Sequence, residues 1–366
     1  MQILTGIILT FSMLGALDLI LGNRFGLGKE FEKGFHLFGS MALSMIGMIV
    51  IAPLIADVLR PVFDFVSNVL HIDASILPAS LFANDMGGAS LAVEVAKNPL
   101  IGRYNALVVS SMMGCTISFS IPVALGMVEK ELHRELLLGM LCGIATIPVG
   151  CFAAGLICRV PIIALLLNLL PLVIFSAVIA FGLVRFPSAC VKIFSVFGYI
   201  IKVCIILGLA LGIIRFLTGF EVVGGLETLE EGARICLNAS IVMTGAFPFM
   251  YVISKLLSKP IQKVSGRIGM NEVSAVGFIS SLATSLTTFG MMKQMDQKGI
   301  MLNAAWAISA AFTLAGHLAF TMAFDSAFIA PMIVGKLISG VCAVILAWVL
   351  YSKLNKNPKK ERMFES

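Results

Sequence analysis

Residues 31–47 read FEKGFHLFGSMALSMIG, and residues 229–245 read LEEGARICLNASIVMTG. At an offset of 198, Glu32 meets Glu230, Gly34 meets Gly232, Met45 meets Met243 and Gly47 meets Gly245. The echo continues downstream with one slipped residue. Pro61 and Pro260, then Ser75 and Ser274, pair at 199; Asn105-Ala106 and Asn303-Ala304, then Ser111 and Ser309, return to 198. Each identity is weak alone, but their shared order predicts two copies of one unit. In a very hydrophobic chain, a duplicated half is the signature of a secondary transporter.

This chain is that hydrophobic. It is 59% hydrophobic and 13% charged over 366 residues, with a mean hydropathy of +1.01. A water-soluble domain of this composition would have to expose a largely apolar surface. Apolar runs of roughly 20 residues recur from end to end, so the expected fold is an all-α polytopic membrane protein. The first run, residues 3–21, lacks a basic start and a small-residue cleavage site, and is expected to stay as a span. The longest polar stretch is the tail, residues 352–366, so no soluble domain is expected. Eight cysteines lie mostly within apolar runs with no CxxC pair; they read as small packing residues, not as a metal or disulfide framework. The net charge of +6 sits in loops and tail, which suits anionic membrane lipids and not nucleic acid. No P-loop, metal-spaced His/Cys set or Ser/His/Asp grouping is found, so neither an enzyme, a cofactor site nor an ATP-driven pump is expected.

Nine segments read as plain spans: 3–21, 36–56, 103–127, 134–157, 161–184, 193–216, 234–256, 300–324 and 330–351. Two others, 74–97 and 272–293, are apolar at both ends but polar or glycine-rich in the middle. They occupy equivalent places in the two copies and either cross as broken helices or enter and leave on one side. The tail carries Lys353, Lys356, Lys359, Lys360 and Arg362, which places it in the cytoplasm. With both segments re-entrant, eighteen basic residues fall inside and six outside; with both crossing, the split is fifteen against nine. The charge rule favours nine spans plus two hairpins over eleven spans, and therefore inverted repeats. The expected organisation is repeat 1 over 1–158, a linking span over 159–190, repeat 2 over 191–351 and a basic tail over 352–366.

Irregular backbone survives at membrane depth only where protein or a water-filled cavity satisfies it. In the first break, Asn84-Asp85-Met86-Gly87-Gly88, the glycines stop the helix and admit close approach of another chain or ligand. Asp85 puts a carboxylate in an apolar run, at about 2.5–3.5 kcal/mol on the insertion scale. A positive partner is expected there, and a cationic substrate would serve; the alternative is an N-cap for the half-helix that follows. The second break offers Thr284, Ser285, Thr287 and Thr288 as neutral hydrogen-bonding groups, or as hydroxyls bonded back to their own helix. His317 is the one histidine placed within a span, a proton-handling candidate or a buried, satisfied side chain. Ser118 and Ser120, beside Pro122, and Asn303 are candidate pathway residues.

The strings NDMGGASLA (84–92), FSIPVALG (119–126), TIPVGC (146–151), FGMMKQMDQKG (289–299), SAAFTLAGHLAF (309–320) and PMIVGKLISG (331–340) resemble the ethanolamine permease family of bacterial ethanolamine-utilisation operons. The resemblance runs in order over almost the whole chain. It implies uptake of ethanolamine across the cytoplasmic membrane, feeding a lyase pathway inside a protein microcompartment. Ethanolamine is a primary amine, mostly protonated at neutral pH by analogy with lysine. The substrate ammonium is thus expected at Asp85, with its hydroxyl at Asn84 or the Thr284–Thr288 group, and Gly87 and Gly88 shaping the site. One departure stands out: the family pattern has an Asp before the histidine, and here Gly316 takes that place. The alternatives are a transporter of the same fold for another small amine or zwitterion, and a non-transporting ethanolamine sensor. Gly and Ala faces serve equally for packing within one subunit or in a homo-oligomer.

Overall fold

The structure is a computed structural model that describes residues 2–69, 71–267 and 269–355. All regular structure among the described residues is helical. Eight helices are long and apolar enough to cross a membrane. They are α1 (Gln2–Ile20), α2 (Leu27–Val58), the composite helix Pro99–Met127, α8 (His133–Ile157), α9 (Ile162–Arg185), α10 (Pro187–Thr218), α11 (Leu229–Arg267) and α16 (Ile329–Asn355). Shorter helices lie between them: α3 (Arg60–Val69), α4 (Ile76–Leu81), α5 (Gly88–Val95), α12 (Glu272–Ala283), α13 (Ser285–Met291), α14 (Gln297–Ala310) and α15 (Gly316–Phe324). The composite helix starts as α6 (Pro99–Tyr104), turns π-helical over Asn105–Gly114 and Thr116–Ser120, and ends as α7 (Ile121–Met127). Residues 356–366, which carry most of the basic tail, lie outside the described residues.

One expected span is corrected. Residues 300–324 are not a continuous helix: α14 stops at Ala310, α15 starts at Gly316, and Phe312 between them adopts φ +63°. Hydropathy could not show the break, because tertiary bonds satisfy the broken backbone. The Phe312 N–H donates to Ser281 O at 2.9 Å and the Leu314 N–H to Leu282 O at 3.0 Å. With those two donors paired, an apolar chain can bend within the bilayer. Asp18 is buried at the end of α1. Its carboxylate accepts from the Phe25, Leu27 and Gly28 N–H groups at 2.9, 2.8 and 2.9 Å and so shapes the entry to α2.

Helices α2 and α11 form one central pair, flanked by α10 on α2 and α1 on α11. Small residues set these crossings. A Cβ on Gly34 would lie 2.6 Å from the Thr244 nitrogen of α11, and one on Gly232 3.1 Å from Ile46 Cα of α2. A Cβ on Gly47 would overlap Ile205 O of α10, and one on Gly245 would overlap Ile8 O of α1. Backbone-to-backbone packing of this kind is how apolar helices gain contact in lipid, where no hydrophobic drive separates them from the solvent. A second central pair, α8 and α16, crosses at Gly150 and Gly335 and packs on α14.

Each broken segment has its two feet joined. Around α4 and α5, the Asp73 carboxylate accepts from the Lys97 N–H at 3.1 Å and the Asn98 N–H at 2.9 Å. Around α12 and α13, the Asp296 carboxylate accepts from the Asn271 N–H at 2.9 Å, and the Asn271 amide donates to Gln294 O at 2.8 Å. The acid stands at the entry foot in the first segment and at the exit foot in the second. Asn105 donates to Ser75 Oγ at 2.8 Å and exchanges two bonds with Asn168 of α9, at 2.8 and 3.0 Å. Asn303 instead donates to Ser274 O and Gly299 O, both at 2.9 Å, and its own amide oxygen is buried without a partner.

Candidate functional site

The first break is built by sequence before it is held by neighbours. Helix α4 ends at Leu81, Phe82 and Ala83 are extended or bent, Asn84–Met86 make one tight turn, and α5 begins at Gly88. Gly87 sits at φ +97°, a conformation that side chains with a Cβ rarely adopt. A Cβ on Gly88 would overlap Phe82 O, and one on Gly114, in the π-helical stretch, would overlap the same carbonyl. The freed Ala83 N–H donates to Ser118 Oγ at 3.0 Å, and the Ser118 hydroxyl donates to Gly114 O at 2.8 Å. Ser118 therefore fastens the unwound chain to the π-helix. Long π-helical segments are rare and recur at functional sites.

Asp85 points out of this turn into a cavity of about 220 Å³ that Ser44, Cys115, Phe119, Phe312 and His317 also line. It does not cap α5, whose N-cap is Gly87. No hydrogen bond or ion pair from another described residue reaches the Asp85 carboxylate. Two aromatic rings stand opposite: Phe119 and Phe312 meet edge to face at 5.6 Å, and Phe312 lies 5.2 Å from the His317 ring. A carboxylate that shares a low-dielectric space with aromatic rings can attract a cation, since charge and ring quadrupole both favour an ammonium. Polar groups without partners cluster nearby. Both amide atoms of Asn84, Nδ1 of His317 and Oγ1 of Thr321 are buried and unpaired, and α15 packs on the turn that carries Asn84. Such groups cost free energy unless something satisfies them.

Of the residues singled out in the sequence, the structure brings together Asp85, Asn84, Gly87, Gly88, Ser118 and His317. It sets the second break apart. Thr284 accepts from the Leu286 N–H at 3.3 Å as the cap of α13, Thr288 donates to Gly277 O at 3.1 Å, Ser285 is buried without a partner, and Thr287 is exposed. None of the four lines the Asp85 cavity. The second break acts on it through the Ser281 and Leu282 carbonyls that hold the Phe312 bend. Ser120 is buried 3.9 Å from Cys115 Sγ, and Asn303 anchors α14 to α12.

Two features escaped the sequence reading. The bend at 311–315 brings Phe312 and His317 into the wall. Lys336 of α16 is fully buried; its Nζ donates to Ser111 O at 2.6 Å and lies within Coulombic reach of Asp85 and His317. This is the positive partner that a buried carboxylate calls for. A single basic residue inside the apolar run 329–351 was the available signal.

Ser118→Ala is expected to leave the Ala83 N–H unpaired at membrane depth, at about 1–3 kcal/mol. The variant should lose thermal stability in detergent and transport at least several-fold more slowly, with Ser118→Thr retaining most of both. Equal melting curves for Ser118→Ala and the parent would refute that anchoring role.

A bundle of apolar helices long enough to cross a membrane, with a charged cavity at the first broken segment, fits a multi-pass membrane transporter. The chain belongs to the family described as ethanolamine utilisation protein, EutH, whose profile matches residues 1–350. It is 41% identical over 362 residues to the probable ethanolamine permease EutH of Listeria monocytogenes serotype 1/2a (strain 10403S), covering 99% of this chain and 97% of that one. It is 37% identical over 390 residues to the probable ethanolamine permease EutH of Escherichia coli (strain K12), covering 96% of each. An uncharacterized protein of Bacillus subtilis (strain 168), YxeR, is 37% identical over 355 residues, covering 97% of this chain and 96% of that protein. No solved structure matches the chain.

Proposed function

We propose that this chain is an ethanolamine permease that binds the protonated amine at Asp85 and carries it across the cytoplasmic membrane by alternating access. The observation that carries the reading is a carboxylate that no other described residue hydrogen-bonds, opening onto an aromatic-walled cavity inside the helix bundle. The ammonium sits between Asp85 and the Phe119 and Phe312 rings. The hydroxyl reaches the unpaired amide of Asn84 or the His317 ring. The names borne by the relatives supply the substrate; the cavity supplies a reason for it. Thr284, Ser285, Thr287 and Thr288 belong to the opposite broken segment, and their part in the pathway is to line or gate access when the bundle rocks. Ser120 and Asn303 are kept as supports of the helices around the pathway.

The architecture behind this reading is two inverted repeats, residues 1–158 and 191–351, joined by a span within 159–190. Equivalent glycines, Gly34 with Gly232 and Gly47 with Gly245, occupy equivalent crossings, and both broken segments have tied feet. Two ion pairs favour re-entrant hairpins. Glu129 meets Lys293 at 2.6 Å and Arg103 meets Asp325 at 3.2 Å. Each pair would be split across the bilayer if 74–97 and 272–293 both crossed it. On this topology the basic C-terminal tail is cytoplasmic, and anionic lipid lies against it.

Sided labelling tests the topology. Single cysteines replacing Lys97 and Lys293, in a background cleared of native cysteines, are expected to react with a membrane-impermeant maleimide from opposite faces. Labelling from the same face would support crossing segments instead. The function itself is tested by uptake of labelled ethanolamine into proteoliposomes of the full chain, competed with choline, serinol, alanine and unlabelled ethanolamine. Saturable uptake that only ethanolamine suppresses is the expected result. Suppression by another of the panel reassigns the substrate, and binding without uptake makes the protein a sensor.

A further inference from the structure

One buried ionisable group is unused by the proposed binding step; it is bonded to Ser111 O, one helical turn before the cavity-lining Cys115. Lys336 is buried at 1% exposure, between the α8 crossing at Gly150 and the π-helical stretch. Its ammonium donates to a single protein acceptor, Ser111 O. The titratable groups within Coulombic reach are Asp85 from the first break, His317 from α15, Cys115 from the π-helical stretch and Cys151 from α8. Asp85 is the one carboxylate among them. A lone buried lysine beside a lone buried carboxylate balances its charge without touching it.

That balance has room for one cation only. When a protonated amine enters beside Asp85, two ammonium groups face one carboxylate in a space that water screens poorly. Either ammonium can shed a proton; the lysine is the one held off the carboxylate, on Ser111 O, and it remains a hydrogen-bond donor when neutral. A neutral amine keeps an N–H for Ser111 O, so the lysine need not move. We propose that Lys336 is the coupling group of the carrier, exchanging one proton for each substrate cation. This rests on the reading of Asp85 as the ammonium site.

The cycle closes without net charge movement. The substrate ammonium arrives from one side, and Lys336 releases its proton, which leaves through the cavity to that same side. The loaded carrier reorients, the substrate leaves, and Lys336 takes a proton from water on the second side. One ammonium enters and one proton exits per turnover. His317, against the Phe312 ring and with Nδ1 unpaired, borders the water space that the proton crosses.

The test is labelled-ethanolamine uptake into proteoliposomes of the full chain, with and without an inside-negative potassium diffusion potential. A carrier of net charge concentrates its cation about a hundredfold when the potential corresponds to a hundredfold potassium gradient. The parent protein is expected to ignore the potential, within about twofold. Lys336→Met and Lys336→Gln remove the exchanged proton, so uptake should become potential-driven and rise at least tenfold on imposing it. Lys336→Arg keeps a cation that cannot deprotonate, and uptake should fall at least tenfold. Potential-driven uptake by the parent overturns the proposal even if no variant folds. Potential-insensitive uptake by a folded Lys336→Met or Lys336→Gln also overturns it, since the carrier would then move the neutral amine. Absence of any uptake by the parent counts against the permease reading and not against the role of Lys336.

Discussion

Asp85→Asn is expected to lower saturable ethanolamine uptake and binding by roughly two to three orders of magnitude while leaving the fold intact. Removing one partner of a buried charge pair costs about 2–5 kcal/mol, and each 1.4 kcal/mol is about tenfold. The larger effect falls on binding, because no other described residue hydrogen-bonds to the carboxylate and Lys336 keeps its own acceptor, Ser111 O. The amide keeps the volume and the turn but removes the charge that balances both substrate and Lys336. Uptake should fall further than binding of an uncharged analogue, and the melting temperature should move by no more than a few degrees. Asp85→Glu keeps the charge with a longer reach and should retain an intermediate fraction. If Asp85→Asn transports within threefold of the parent, the cation site lies elsewhere.

The second large effect is steric. Gly114→Ala puts a Cβ into Phe82 O, with Ala79 O also only 2.6 Å away. Both obstacles are backbone, so no side-chain rotation relieves the overlap, and the first hairpin must move off the π-helix. Inserting a methyl group into a packed interior costs about 1–3 kcal/mol. A displacement on the order of 1 Å at a reacting or binding group can cost about 10²-fold in rate. The variant is expected to be poorly expressed or near-inactive, with substrate affinity lost together with transport. Normal uptake by Gly114→Ala would show that the hairpin and the π-helix do not need their observed spacing.

The glycines explain how much of this was legible in the sequence. Gly34, Gly47, Gly232 and Gly245 stood out because a helix crossing this close admits only hydrogen at these positions. Asp85 was legible because a carboxylate between helix breakers has no comfortable place in an apolar run. The bend at Phe312 was not, since its cause is a pair of carbonyls about thirty residues away in sequence. Lys336 was overlooked for a different reason. Its surroundings are as apolar as those of any span, and only the folded bundle shows that its ammonium and Asp85 share one region. The Thr284–Thr288 group was grouped with Asp85 by the likeness of the two breaks, yet Thr284 and Thr288 bond within α12 and α13, and neither Ser285 nor Thr287 lines the cavity. Symmetry of sequence predicted where the chain breaks, and local chemistry decided which break carries the charge.

The tied feet of the two broken segments bear on how the chain enters its bilayer. On the re-entrant topology proposed above, a hairpin whose ends are already bonded, Asp73 to Asn98 and Asn271 to Asp296, can be inserted from one face as a finished piece. Lys97, Lys293 and both aspartates at the feet then never travel through hydrocarbon. The one formal charge that such a piece must carry inward is Asp85 at its tip, and Lys336 is threaded in separately on α16. During biogenesis the first hairpin therefore gains from arriving last, after α16 has delivered its counter-charge, and a chain truncated before residue 329 would leave that carboxylate stranded.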